Sequence, residues 1–146
     1  MTIDEYINQN LPFYHIASMN NLNAILSYGL KGRRGKIFVV RSTDHRVWNE
    51  IICQMNTDGD DSFAIIKLTP LKHHINADMV QWDNVNERTA NLQNCIISDN
   101  IKVDNQDIIT KHYHPDPNIY IDNGESFEAL DEYHIKPRFD NSILVD

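Results

Sequence analysis

The sequence lacks the features that mark secreted, fibrous or membrane proteins. Its 146 residues include only two cysteines, five glycines and five prolines. Cys53 and Cys95 lie in apolar stretches rather than in a close-spaced ligand motif, which favours free thiols in a reducing compartment. The first ten residues have no basic start followed by an apolar run, and no segment approaches the roughly 18 apolar residues of a membrane span. We therefore expect a single cytoplasmic domain over 1–146, without membrane association.

Positive charge is also scarce. Thirteen basic residues face 21 acidic ones, which gives a formal net charge of -8. Broad nonspecific binding to nucleic acid needs clustered lysine and arginine, so the overall balance argues against it. The basic residues that do occur are concentrated between positions 31 and 46, namely Lys31, Arg33, Arg34, Lys36, Arg41 and Arg46.

Three stretches have the composition of buried strands, and helices are predicted between them. Phe13–Ile16, Lys36–Val40 and Ser62–Leu68 are rich in β-branched and aromatic residues. Helices are predicted after Thr2, after Asn20 or Asn21 with Gly29 as the stop, after Thr43 or Asp44, and over Asn84–Leu92. Pro70 is expected to close the strand before it.

The second half of the chain contains more strand signals than helix signals. His112–Pro117 (HYHPDP) predicts a turn, and strands are predicted over Asn118–Ile121 and Ser126–Leu130. Helices that follow early strands, with later strands following one another, indicate an α+β domain with a mostly antiparallel, split sheet.

Polar residues follow the first two predicted strands. His15 lies near the end of the first strand with Asn21 at the next helix start, and Arg41 and Ser42 leave the second strand in the same way. If the strands pair, these groups and the helix N-termini beside them meet at one edge of the sheet. Free N–H groups at helix N-termini favour anions, so this edge would suit a phosphate-bearing ligand.

Three segments together resemble the ADP-ribosyltransferase superfamily. YHIASMNNLNAILSYGL (14–30) resembles the opening motif of its DarT-type members, which modify single-stranded DNA. GKIFVVRST (35–43) is similar to the second strand of the superfamily, and SFEALDEYHIKPRF (126–139) to its closing glutamate strand. The resemblance covers about half of the chain and implies a split, mostly antiparallel sheet with two or three flanking helices.

The resemblance also implies that NAD is a substrate held by residues of the first motifs. His15 would hold the adenosine-side ribose, and Asn21 would help to fix the dinucleotide. Tyr14, Ser18 and Ser42 would complete the cofactor-binding wall.

Two residues would carry the catalysis under this resemblance. Arg41 would lie at the phosphates or on the nicotinamide side, and Glu128 would be the catalytic carboxylate, with Glu125 and Glu132 as alternatives. The function implied is transfer of ADP-ribose to a macromolecular acceptor, nucleic acid or protein, by a toxin or phage–host conflict effector. No resident metal is expected.

Two other kinds of chemistry are suggested by single residues. His73, His74, His112 and His114 offer metal ligands, but adjacent strand residues point to opposite faces, so the first two could not bind one ion from a regular strand. Cys53 could be a nucleophile, but its place among apolar helix residues predicts an inert thiol.

The alternative to an enzyme is a small acidic binding or inhibitory module, such as an antitoxin or a phage-encoded inhibitor that mimics nucleic-acid charge. Asp58, Asp60, Asp61 and the acidic tail would supply the charge. A test of NAD binding would distinguish the enzyme from the acidic binding module.

Overall fold

The computed structural model describes residues 2–55, 59–82 and 93–116, and within these ranges the protein is an α+β fold. The strands of the described residues are β1 (Phe13–Ser18), β2 (Leu30–Lys31), β3 (Lys36–Val40), β4 (Phe63–Leu68), β5 (Val80–Trp82), β6 (Gln93–Ile97), β7 (Asn100–Ile101) and β8 (Ile108–Tyr113). The α-helices are α1 (Ile3–Asn8), α2 (Leu22–Tyr28), α3 (His45–Gln54) and α4 (Pro70–His73), and short 3₁₀ turns cover Met19–Asn21, Ala77–Met79 and Asn105–Asp107.

The main sheet has the order β5-β6-β3-β1-β4-β8, and its paired strands are antiparallel. The prediction of an α+β class with a mostly antiparallel sheet is confirmed. β1 and β3, the first two strands predicted from the sequence, are both interior strands. β1 is registered with β4 from Phe13 opposite Leu68 to Ser18 opposite Phe63, whereas its register with β3 is the pair Tyr14 and Val40.

Alternation along the strands divides the core into two clusters. On one face Phe13, Val39 and Ile66 pack with the buried side chains of α1. On the other face Tyr14 and Ile65 pack against α3, whose buried residues include Val47, Trp48, Ile51 and Ile52. Because His15 lies opposite Ile66, it belongs to the α1 face of the sheet.

The helix ends follow the sequence signals in most cases. The Thr2 and Asp44 side chains cap α1 and α3 by accepting hydrogen bonds from the backbone N–H groups of Glu5 and Arg46. α2 ends at Gly29, whose φ of 88° lies in the region that only glycine adopts easily.

Several local predictions are wrong or lie outside the described residues. His112 and Tyr113 belong to β8 rather than to a turn, because their backbone pairs with β4. β4 ends at Leu68, and Pro70 then begins the short helix α4, so the described residues contain four α-helices. The predictions for Asn84–Leu92, Asn118–Ile121 and Ser126–Leu130 lie outside the described ranges. None of the helices in the described part of the chain has the length and apolarity that a bilayer crossing needs.

A cluster of polar and charged side chains, in which Asp107 and His73 are buried and Lys72 is exposed, joins α4 to the 3₁₀ turn before β8. Asp107 is 5% exposed and lies 2.7 Å from Lys72 Nζ and 3.0 Å from His73 Nε2. His73 Nδ1 accepts a hydrogen bond from Thr69 N at 2.9 Å, so the ring is held with its Nε2 edge towards Asp107. Burial raises the pKa of Asp107, but hydrogen bonds from Lys72, from the Asp104 backbone and from His73 outweigh it and hold the pKa below 3.8.

Replacing Asp107 by asparagine should destabilise the protein at neutral pH. The new amide group cannot accept the bonds that one carboxylate oxygen accepts, which predicts a loss of roughly 1–3 kcal/mol in the free energy of unfolding. Because the folded pKa is depressed, the carboxylate stabilises the protein above its unfolded pKa. The difference from wild type should therefore shrink as the pH falls through the folded pKa.

Urea unfolding of Asp107→Asn, measured from neutral pH down through the folded pKa of Asp107, tests the prediction. Asp104→Asn is the matched control, since the Asp104 side chain is 58% exposed beside the same lysine and should cost about 1 kcal/mol or less. Equal losses in the two variants would contradict the role given to Asp107.

Candidate functional site

A cleft of about 410 Å³ opens beside the end of β1. Its walls come from β1, the first 3₁₀ turn, α2, the start of β2 and the end of α3. The residues that line it are His15, Ile16, Ala17, Ser18, Asn21, Ala24, Ile25, Tyr28, Gly29, Leu30, Lys31 and Met55. The volume falls within the roughly 300–1,000 Å³ of small-molecule sites.

β1 contributes residues to the cleft lining, whereas its neighbour β3 contributes none among the described residues. Beyond the registered pair of Tyr14 and Val40, the His15 side chain bridges the two strands. Its Nδ1 lies 2.7 Å from the carbonyl oxygen of Phe38. The imidazole therefore takes the place of a backbone ladder bond at the floor of the cleft.

The contact with Phe38 determines the protonation of His15. A carbonyl oxygen only accepts hydrogen bonds, so Nδ1 must carry a proton. Burial lowers the pKa of His15 below 6.5, although the Phe38 hydrogen bond acts in the opposite direction. At neutral pH the ring is uncharged, and Nε2 is left as a hydrogen-bond acceptor.

Ser18 and Asn21, two residues expected to bind the dinucleotide, line the cleft together with His15. Ser18 is 4% exposed, and its hydroxyl accepts a hydrogen bond from Asn20 N at 3.2 Å. Asn21 is the N-cap residue of α2, as predicted, but its side chain makes no capping hydrogen bond, and the side-chain cap is that of Ser18 on the preceding 3₁₀ turn. The Asn20 side chain donates to Asp60 Oδ1 at 2.6 Å, and Asn21 is left exposed at the cleft.

The structure does not bring Tyr14, Arg41 or Ser42 into the cleft lining. Tyr14 packs on the α3 face of the sheet, where burial raises the pKa of its phenol. Arg41 is 5% exposed, and Ser42 is fully buried with its hydroxyl accepting from Asp44 N at 2.9 Å. The ligand-binding roles of these three residues stay predictions.

The prediction that the ends of both strands meet at one edge of the sheet is wrong. β1 and β3 are antiparallel, so the end of β3 lies beside the beginning of β1. The helix starts that follow the two strands therefore lie at opposite ends of the sheet. Glu128 and its alternatives Glu125 and Glu132 lie outside the described residues.

At the mouth of the cleft lie Tyr28, which the sequence did not assign to the site, and Lys31, the first of the basic residues between positions 31 and 46. Tyr28 is 68% exposed, and Lys31 Nζ lies 5.6 Å from the centre of its ring. Lys31 is the one charged side chain of the lining among the described residues, and no acidic side chain lines the cleft there. A tyrosine directly before the glycine that ends the helix is the sequence signal that could have identified this rim.

The competing chemistry finds little support in the described ranges. No group of three or more histidine, cysteine, aspartate or glutamate side chains there could hold a metal ion. His73 binds Asp107, and His114 Nδ1 lies 2.9 Å from the Asp61 carbonyl oxygen. Cys53 is exposed rather than buried among apolar residues, because it lies off the face that α3 turns to the sheet.

Comparison with known proteins found no match among protein-family models, curated proteins or solved structures. The function must therefore be argued from the cleft itself.

His15 makes the stability of the protein depend on pH. Because its folded pKa is lowered, the unfolded state binds a proton first as the pH falls below 6.5. The free energy of unfolding should decrease from that point until the pH reaches the folded pKa. His15→Gln should remove this part of the pH dependence.

Urea unfolding between about pH 7 and pH 5 measures the effect. His112→Gln is the control, since His112 is exposed on β8 and its replacement should leave the decrease in place. A decrease of the same size in His15→Gln would contradict the assignment to His15.

Proposed function

We propose that this protein is an ADP-ribosyltransferase that uses NAD as a substrate and transfers ADP-ribose to a macromolecular acceptor, nucleic acid or protein. The observation that carries the proposal is the uncharged His15 at the floor of the cleft, with Nε2 as its remaining acceptor. The resemblance of three sequence segments to the superfamily points to the same reaction.

The protonation of His15 selects the kind of group that can bind there. A ribose hydroxyl donates a hydrogen bond and therefore matches Nε2. A phosphate oxygen only accepts and does not match it. A nucleoside sugar at the floor of the cleft satisfies the imidazole without requiring it to become charged.

The rim of the cleft supports a nucleotide rather than a sugar alone. The exposed ring of Tyr28 offers a face on which a base can stack. Lys31 beside it supplies positive charge for a phosphate, in a lining that has no acidic side chain among the described residues. In a chain with a net charge of -8, this local absence of acid favours an anionic ligand.

The chemistry requires a carboxylate, which the sequence predicts to be Glu128. The bond between ribose C1 and the nicotinamide nitrogen breaks, and its electron pair leaves with nicotinamide. The sugar becomes oxocarbenium-like, and a fixed carboxylate stabilises this positive charge. The acceptor then forms a bond to C1 and gives up its proton to the carboxylate.

NAD should stabilise the wild-type protein against thermal unfolding. The wild-type protein should also release nicotinamide from NAD. At 100 times Kd a ligand adds about 3 kcal/mol to the free energy of unfolding, so the melting temperature should rise by several degrees. Glu128→Gln should keep this rise but release nicotinamide roughly 100-fold more slowly or worse.

Glu125→Gln and Glu132→Gln are the matched controls, and both should retain activity. The slow variant among the three identifies the catalytic carboxylate. If NAD neither raised the melting temperature nor lost nicotinamide, the acidic binding module would replace the enzyme as the better explanation.

Tyr28 should contribute to affinity through its ring. Stacking of a base is worth roughly 1–3 kcal/mol, so Tyr28→Ala should weaken NAD binding about 10-fold or more. Tyr28→Phe keeps the ring and should bind as wild type does. Titration calorimetry measures both, and equal affinities in the two variants would exclude stacking on this residue.

A further inference from the structure

The turn between β6 and β7 forms hydrogen bonds with both ends of the basic loop 32–35, which connects β2 to β3. Ser98 N donates to Gly35 O at 3.0 Å, and Gly32 N donates to Asp99 O at 3.4 Å. Lys31, on the cleft rim, is paired with Asn100 in the small sheet. The position of the rim therefore depends on a turn that contributes no side chain to the described cleft lining.

Asn100 makes the most direct connection from this turn to α2. Its Nδ2 donates a hydrogen bond to the Tyr28 carbonyl oxygen at 2.7 Å. Carbonyl groups in the last turn of a helix have no partner within the helix, so the asparagine acts as a cap supplied from elsewhere in the chain.

The contact also depends on Gly29. A Cβ on Gly29 would lie 2.0 Å from Asn100 Oδ1, which means that the asparagine side chain occupies the space a larger residue would need. The side chain of Asn100 and the backbone of Gly29 therefore fit against each other at the point where α2 ends.

We propose that Asn100 is a positioning residue for the nucleotide: it fixes the end of α2, and so the places of Tyr28 and Lys31, without touching the ligand. This inference depends on the proposed binding of NAD in the cleft. Asn100 therefore affects the affinity for NAD but not the rate of nicotinamide cleavage.

A merely structural role predicts something different. Asn100 is exposed, but its small sheet joins the core on the α1 face through Leu30 and Ile101. If it served only the fold, Asn100→Ala would lower the melting temperature and impair NAD binding and nicotinamide release together, in proportion to the fraction unfolded. A positioning role would raise KM while kcat stays unchanged.

The experiment compares Asn100→Ala with Asn105→Ala, an exposed asparagine in the neighbouring 3₁₀ turn. In Asn100→Ala the KM for NAD in nicotinamide release, and the Kd from calorimetry, should rise roughly 3- to 10-fold, the range for loss of one ordering hydrogen bond. The kcat should stay at the wild-type value, and the melting temperature without ligand should fall by only a few degrees, because loss of one net hydrogen bond costs about 1 kcal/mol of stability. Asn105→Ala should leave all four quantities unchanged.

A double-mutant cycle with Gly29→Ala tests the geometry without any ligand. Gly29→Ala should lower the melting temperature less in the Asn100→Ala background, because the clash with Oδ1 is then absent. Additive effects would overturn the proposed fit between the two residues.

The outcomes separate this inference from the proposed function. If the wild-type protein binds NAD and Asn100→Ala binds it equally well, the positioning role is overturned and the proposed function stands. The positioning role is also overturned if kcat falls with the melting temperature. If the wild-type protein does not bind NAD, the proposed function fails, and the role of Asn100 in ligand affinity fails with it.

Discussion

The hydrogen bond between His15 and the Phe38 carbonyl is the interaction on which the candidate site depends. It joins two central strands where their registered pairing has ended, and it fixes the protonation of the imidazole. The acceptor nitrogen at the cleft floor and this side-chain link between β1 and β3 thus have one cause. A lysine or glutamine in place of His15 could not both close the strand pair and present an uncharged aromatic acceptor.

Short-range patterns predicted much of the described fold. β3 and β4 were located from β-forming composition, and α3 from apolar spacing after an aspartate cap. These features arise from neighbours in sequence, so they can be read there. The antiparallel pairing of β1 and β3 arises from distant parts of the chain, and the error in placing Arg41 and Ser42 beside the cleft followed from it.

The candidate site was predicted less completely than the fold. His15, Ser18 and Asn21 were identified because they lie within one recognisable motif at the end of a strand. The places of Tyr28 and Lys31 at the rim could not be predicted, since they depend on a turn some seventy residues away, at Asn100. Sequence spacing carries no information about such a contact.

The strand order has a consequence for how the chain folds. β1 lies between β3 and β4, and its residues pair with positions in β4 that are about fifty residues later in the chain. Such pairings require a large loop to close before any stabilising contact forms, which makes folding slow. Since β1 is both an interior strand of the sheet and a wall of the cleft, a chain in which β1 has not joined the sheet lacks that wall in its final place. A small molecule that binds there would act as a reporter of completed folding, and would leave folding intermediates unaffected.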